Sequence, residues 1–171
     1  MIFSSLHARL RGNHPLPARP APKQILAGLA GGTLAIGALA QLADWQQAPW
    51  LMAPFGASCV LLFAVPDSPL AQPRSVIGGH LLASLVGLIV LKTLGAGPWT
   101  MALAVGLAIA LMQASRTLHA PAGADPLVVL MSGKTGWGFL LLPVLTGSLL
   151  LVAVALLVNN CGRASRWPRY W

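Results

Sequence analysis

The chain has 171 residues, of which 56% are hydrophobic and 8% charged, with a mean hydropathy of +0.74. Its 11 Lys+Arg and 3 Asp+Glu are too few to cover a soluble fold, in which about 25% of residues are charged. The apolar content excludes disorder, the two cysteines exclude a disulfide scaffold, and lipid facing most of the surface explains both numbers.

Residues 1–23 hold four Pro and no apolar core, so they read as a flexible basic cytoplasmic arm rather than a signal peptide. Arg9, Arg11, Arg19 and Lys23 precede the first apolar run, and Arg163, Arg166 and Arg169 follow the last, in a basic tail over 160–171. The net charge of +8 is therefore read as the cytoplasmic bias of a membrane protein. No basic run is interleaved with stacking aromatics, so nucleic acid is not expected as a partner. Both termini are expected in the cytoplasm, at a bacterial inner membrane.

Four long apolar runs follow, at 25–43, 76–94, 99–114 and 138–158. Each approaches or exceeds the ~20 residues that cross a bilayer core. Two shorter runs lie between them, at 50–65 and 122–131, with Pro54 and Gly56 near the start of one and Gly123, Asp125 and Pro126 at the start of the other. The fold expected is an all-α membrane domain over 24–159, with four long and two short membrane elements.

The short runs match each other. Ala53-Pro54-Phe55-Gly56-Ala57-Ser58 aligns with Ala120-Pro121-Ala122-Gly123-Ala124-Asp125. The chain divides into two units, 24–97 and 98–159, each a span, a broken short helix and a span. If every element crosses, the units are inverted repeats with both termini inside. If the short elements dip in and return, the repeats are parallel. The charge bias favours six crossings.

Ser58 and Asp125 occupy matched positions and are residue types that cap helix starts. Proline stops a helix on its N-terminal side, and glycine lets backbone approach a ligand. Each unit thus offers a helix N-terminus, with unpaired N–H groups, inside the membrane region. Two such ends could bracket one small anion, or be kinks with no ligand. The candidate binding residues are Pro54, Phe55, Gly56, Ala57 and Ser58, then His119, Pro121, Gly123, Ala124 and Asp125. His119 either pairs with an anion or carries a proton, or caps the preceding span. Asp125 is a helix cap or a proton site. His80, one turn into its span, is a functional candidate or a hydrogen bond between helices. Asp67 and Arg74 flank a Pro-rich loop, where they form a salt bridge or, for Arg74, recruit anions. Lys92 and the terminal arginines read as anchors, and the six tryptophans as an interfacial belt. Small-xxx-small spacing at Gly28, Gly31 and Gly32, and at Gly79, Ala83 and Gly87, reads as close helix packing.

Four segments carry a resemblance. Pro54-Phe55-Gly56-Ala57-Ser58, the string Val65-Pro66-Asp67-Ser68-Pro69-Leu70-Ala71-Gln72-Pro73-Arg74, and Gly78-Gly79-His80 resemble the HPP family of integral membrane proteins. His119-Ala120-Pro121-Ala122-Gly123-Ala124-Asp125-Pro126 is similar to the segment that names that family, with Ala120 in place of its first Pro. Members in cyanobacteria and plastids are associated with nitrite transport, so the resemblance implies a nitrite-like anion.

The leading functional expectation is a transporter or channel for a small inorganic anion, nitrite first, with no cofactor. The alternative is a membrane scaffold or assembly protein with no substrate. An enzyme is not expected: the chain has no Glu and only three Asp, and no nucleophile–base motif is visible. The lipid bilayer is the constant partner, and a homo-oligomer would shield a polar path through so few elements.

Overall fold

The computed structural model describes residues 15–46, 51–133, 136–161 and 165–171. Arg9, Arg11, Trp50, Lys134 and Arg163 lie outside the described residues. The described chain is all-helical, with helices α1 (Pro22–Gln46), α2 (Ala53–Ala64), α3 (Pro73–Leu94), α4 (Pro98–Ala114), α5 (Asp125–Ser132) and α6 (Thr146–Asn160). Three helical stretches are long and apolar enough to cross a membrane: Pro22–Gln46, Pro73–Leu94 and Trp137–Asn160. The 99–114 run forms a helix of 17 residues, shorter than those three.

Proline sets where helices begin. α1 to α5 each carry Pro among their first two residues, where no N–H partner is needed. At α1 the Ala21 N–H also donates to Gln24 Oε1 at 2.9 Å, a backward cap that satisfies one more terminal donor. Glycine sets two ends: Gly95 (φ 75°) follows α3 and Gly133 (φ 64°) follows α5, in conformations that L side chains resist. α6 is preceded by a 3-10 turn, Trp137–Leu140, and a π turn, Leu141–Leu145. Leu142 is non-helical there, beside Pro143, which cannot continue the hydrogen-bond ladder.

Both matched segments open helical structure at the matched position, by different geometry. Ala53 starts α2 directly, so Ser58 falls in its second turn and Met52 stands at the cap position. Ala120–Ala124 forms a 3-10 turn that runs straight into α5, so Asp125 is preceded by Ala124 and makes no capping bond. Neither Ser58 nor Asp125 caps a helix. The backbone is already helical before each of them, which leaves both side chains free to point across the bundle.

Packing cuts across the two sequence halves. One apolar cluster joins Ala35 and Leu39 of α1, Phe55, Leu62 and Phe63 of α2, and Leu151 and Ala155 of α6. The other joins Ala83, Val86 and Val90 of α3 with Ala104 and Ala108 of α4, Ala122 and Leu130. α3 lies between them and also supplies Val76 to the first. Small residues allow the close approaches, as expected where lipid gives no hydrophobic drive to helix pairing. A Cβ at Gly31 or Gly147 would strike the ring of Phe63 or Phe55, and one at Gly87 would meet Pro126 Cα at 2.9 Å.

One end of the bundle gathers the basic loops. Arg74 Nη2 donates to Ser115 O at 3.1 Å and its Nε to Arg116 O at 3.3 Å. Asp67 pairs with Arg169 at 3.0 Å, not with Arg74, because the C-terminal segment folds back over this loop. Trp167 is buried rather than part of an interfacial belt: its Nε1 donates to Pro66 O at 3.1 Å, and Asn160 brackets its backbone. The Arg169 N–H donates to Gln72 Oε1 at 2.7 Å. At the far end, Lys92 lies over the Trp137 ring at 5.5 Å, a cation–π contact.

Candidate functional site

Among the described residues ten buried polar or charged ones stand out in this apolar interior, and four of them touch in a row. His80 projects from the second turn of α3. Its Nδ1 lies 2.8 Å from Asp125 Oδ2, and its Nε2 lies 2.8 Å from Ser58 Oγ. Ser58 Oγ is also 2.8 Å from His119 Nε2. His119 Nδ1 reaches the carbonyl of Leu70 at 2.7 Å. Ser84, one turn beyond His80, donates to Asp125 Oδ2 at 3.1 Å. Ser58, His80, Ser84, His119 and Asp125 are all 0% exposed.

Each side chain is there for a local reason. Ser58 is one turn after Pro54 and also contacts the Pro54 carbonyl at 3.1 Å. His80 and Ser84 share one face of α3 by their i, i+4 spacing. His119 ends the extended stretch before the 3-10 turn, and Gly79 lets that stretch lie against α3: a Cβ there would sit 2.7 Å from His119 Cβ and 2.9 Å from the Thr117 carbonyl. Leu70 belongs to the 3-10 turn Pro69–Ala71, which Ser68 caps by accepting its N–H at 3.2 Å. The Phe55 ring packs edge-on to His80 at 5.1 Å and closes the row on one side. Asp125 Oδ1 is the one buried side-chain N or O atom without a hydrogen-bond partner among the described residues.

The sequence-derived residues separate into groups. Ser58, His80, His119 and Asp125 converge, with Phe55 against them. Pro54 and Pro121 are buried beside the row. Gly56 and Ala57 are exposed, while Gly123 and Ala124 are half-buried. The two broken elements do line one hollow, of about 610 Å³, but it is bordered by Ala53, Pro54, Ala57, Val60, Ala120, Pro121 and Ala124. Its walls are thus apolar, and the polar groups lie behind them. Asp67 and Arg74 belong to the loop end and do not reach the row. Cys59 and Cys161 are free thiols.

Sequence reasoning missed Ser84 and the Leu70 carbonyl. Ser84 was detectable as the residue one turn from His80, on its face. No sequence pattern marks a backbone carbonyl as the acceptor of a histidine 49 residues away. Sequence reasoning also saw no nucleophile–base set, whereas the fold aligns Ser58, His80 and Asp125 in hydrogen-bond reach.

Comparison with known proteins gives a family. The profile of the HPP transmembrane region matches residues 17–168. A transmembrane protein of Dictyostelium discoideum is 41% identical over 128 residues, covering 71% of this chain and 45% of that protein. A second from the same organism is 40% identical over 129 residues, covering 71% and 42%. The chain thus spans less than half the length of the curated relatives it matches. No solved structure matches it. The buried row sits on the same segments, around Pro54–Ser58, Gly78–His80 and His119–Pro126, that carried the resemblance, and with the profile covering nearly all of the described bundle, this chain belongs to the HPP transmembrane family.

Proposed function

We propose that the protein is a membrane transporter or channel for a small inorganic anion, with the polar path running past the Ser58–His80–His119–Asp125 row. The observation that carries this reading is the row itself. Ionisable groups inside a membrane domain are costly to bury and mark solute, ion or proton pathways. The two segments that carry the row also line the apolar hollow, which offers a small anion a dehydrated approach to it. Nitrite is the anion to test first, and it rests on the family resemblance alone.

The arrangement of charges supports six crossings in two units, with both termini cytoplasmic. Arg74, Arg116 and Arg169 lie at one end of the bundle, and Lys92 with Trp137 at the other. That is the asymmetry the positive-inside rule describes. A homo-oligomer would shield the hollow from lipid.

Purified protein in liposomes is expected to give nitrite flux above that of protein-free vesicles. A folded protein with no flux of nitrite or related anions overturns the reading. Gly56→Leu and Gly123→Leu separate transport from a substrate-free scaffold. A Cβ meets nothing within 4 Å at either glycine, so folding is expected to survive. Loss of flux with folding retained excludes the scaffold.

A hydrolytic reading is favoured by one observation, the 2.8 Å spacing on each side of His80, which is the order of a Ser–His–Asp triad. The full burial of Ser58 counts against it, because a nucleophile must meet its substrate. Labelling of Ser58 by a serine-reactive phosphonate would establish hydrolysis.

A further inference from the structure

We infer that the buried row is a proton relay, ordered at rest from Asp125 through His80 and Ser58 to His119, whose Nδ1–H meets the Leu70 carbonyl beside the arginine-rich end of the bundle. The relay rests on the transport reading for its purpose and on hydrogen-bond geometry for its order.

The order follows from what each atom can do. A carbonyl oxygen only accepts, so the 2.7 Å contact with Leu70 requires a proton on His119 Nδ1. His119 is buried with no carboxylate in contact, and an imidazolium there would be an unpaired buried charge. A neutral His119 leaves Nε2 as an acceptor. The Ser58 hydroxyl therefore donates to it across 2.8 Å. The competing contact from Ser58 to Pro54 O is longer, at 3.1 Å, and that carbonyl already receives the Ser58 backbone N–H within the helix. With its proton aimed at His119, the Ser58 oxygen accepts from His80, which fixes N–H on His80 Nε2. His80 Nδ1 and Asp125 Oδ2 then share one proton, either on the acid as a neutral pair or on the imidazole as an ion pair. Every donor points the same way. This order is also the reverse of the one hydrolysis needs, in which the serine hydroxyl would donate to His80.

The transfer balances. The Asp125 O–H breaks as N–H forms at His80 Nδ1. The His80 Nε2–H breaks as O–H forms on Ser58. The original Ser58 O–H breaks as N–H forms at His119 Nε2. The result is a transient aspartate at one end and a transient imidazolium at the other, and the cost of that unpaired buried charge drives the imidazolium to lose a proton at once. Asp125 is reloaded at Oδ1, its unpartnered oxygen, by a hydronium or by the acid form of a weak-acid solute. His119 gives its Nδ1 proton to water reaching the half-buried Leu70 loop, because the carbonyl there only holds the hydrogen bond, and rotation of the Ser58 hydroxyl and the two imidazole rings restores the starting order.

Two measurements test the relay. In histidine-¹⁵N-labelled wild-type protein, NMR should show His119 protonated at Nδ1 with Nε2 bare, and His80 protonated at Nε2. A neutral His119 protonated at Nε2, or His80 with Nε2 bare, overturns the order without any variant having to fold. In liposomes under an imposed pH gradient, a trapped pH-sensitive dye should report proton movement that falls at least tenfold in Ser58→Ala and returns in Ser58→Thr, which keeps the hydroxyl. Wild-type proton movement in folded Ser58→Ala overturns the relay. If protons move through Ser58 but nitrite and related anions do not move at all, the transport proposal fails and the relay stands. If anions move and proton movement ignores Ser58, the relay fails and transport stands. If wild-type protein moves neither, both fail.

Discussion

The two matched segments, 53–58 and 120–125, end on residues that grip opposite nitrogens of one imidazole. Ser58 meets His80 at Nε2 and Asp125 meets it at Nδ1. Their backbones differ: one is a continuous α-helix of 12 residues, the other a 3-10 turn leading into a helix of 8. Their surroundings differ as well. Ser58 sits between two imidazoles and the Pro54 carbonyl, whereas Asp125 brings a carboxyl group with one oxygen unpartnered. A shared sequence pattern thus delivers its terminal side chain to a shared target, while the backbone geometry adjusts to what each side must pack against. The polar side chain set against His80, not the helix start, is what the two segments have in common.

The largest effect expected is at the carboxylate. Asp125→Ala leaves His80 Nδ1 and the Ser84 hydroxyl without their buried partner and should cost about 3 kcal/mol or more of stability. Thermal unfolding in detergent measures it, and Asp125→Asn should recover part of the loss by keeping a polar partner in place. If Asp125→Ala costs no more than a change at Ser58, the two segments are equivalent after all.

Ser58→Ala should cost less, about 1–3 kcal/mol, since it strips a hydroxyl from between two imidazoles without removing a charge. The same unfolding assay, run beside Asp125→Ala, gives the ratio directly. Gly79→Ala tests the wall that holds His119 in reach. Its Cβ would meet His119 Cβ at 2.7 Å and the Thr117 carbonyl at 2.9 Å, so overpacking of about 1–3 kcal/mol is expected. Gly56→Ala is the contrast on the matched segment: with nothing within 4 Å, it should be neutral or raise stability by up to about 1 kcal/mol through helix propensity.

The smallest effect belongs to the C-terminal strap. The side chains of the Asp67–Arg169 pair are 53% and 46% exposed, and such pairs contribute under about 1 kcal/mol. Arg169→Ala should leave the unfolding temperature nearly unchanged, because the Arg169 backbone still donates to Gln72. A large drop would show that the strap, and not only the buried row, holds the Leu70 loop in register.

Several residues show how far sequence reading reached. Asp67 and Arg74 looked like natural partners across a short Pro-rich loop, yet a residue about a hundred positions away intervenes. Trp167 had the position of a belt tryptophan, but Asn160 and Pro66 turn it inward. Ser58 and Asp125 are residue types that cap helices, yet neither caps one here, since capping preferences describe short-range backbone bonds and take no account of a histidine on another helix.

By itself the sequence determined that the chain belongs in a membrane, its family and the punctuation of the helices. Charge scarcity, run length and the placement of Pro and Gly act locally, so they are visible in one dimension. It also picked out the segments that carry Ser58 and Asp125, by their matched Ala-Pro-x-Gly-Ala strings. Only the tertiary structure decided that His80 stands between them. The bonds that make the row join residues 22, 45 and 61 positions apart, on elements brought together by close contacts such as the one at Gly79. A hydrogen-bond partner is chosen by distance and direction in space, and in a membrane interior with no water to substitute, that choice settles which few polar side chains act as one unit.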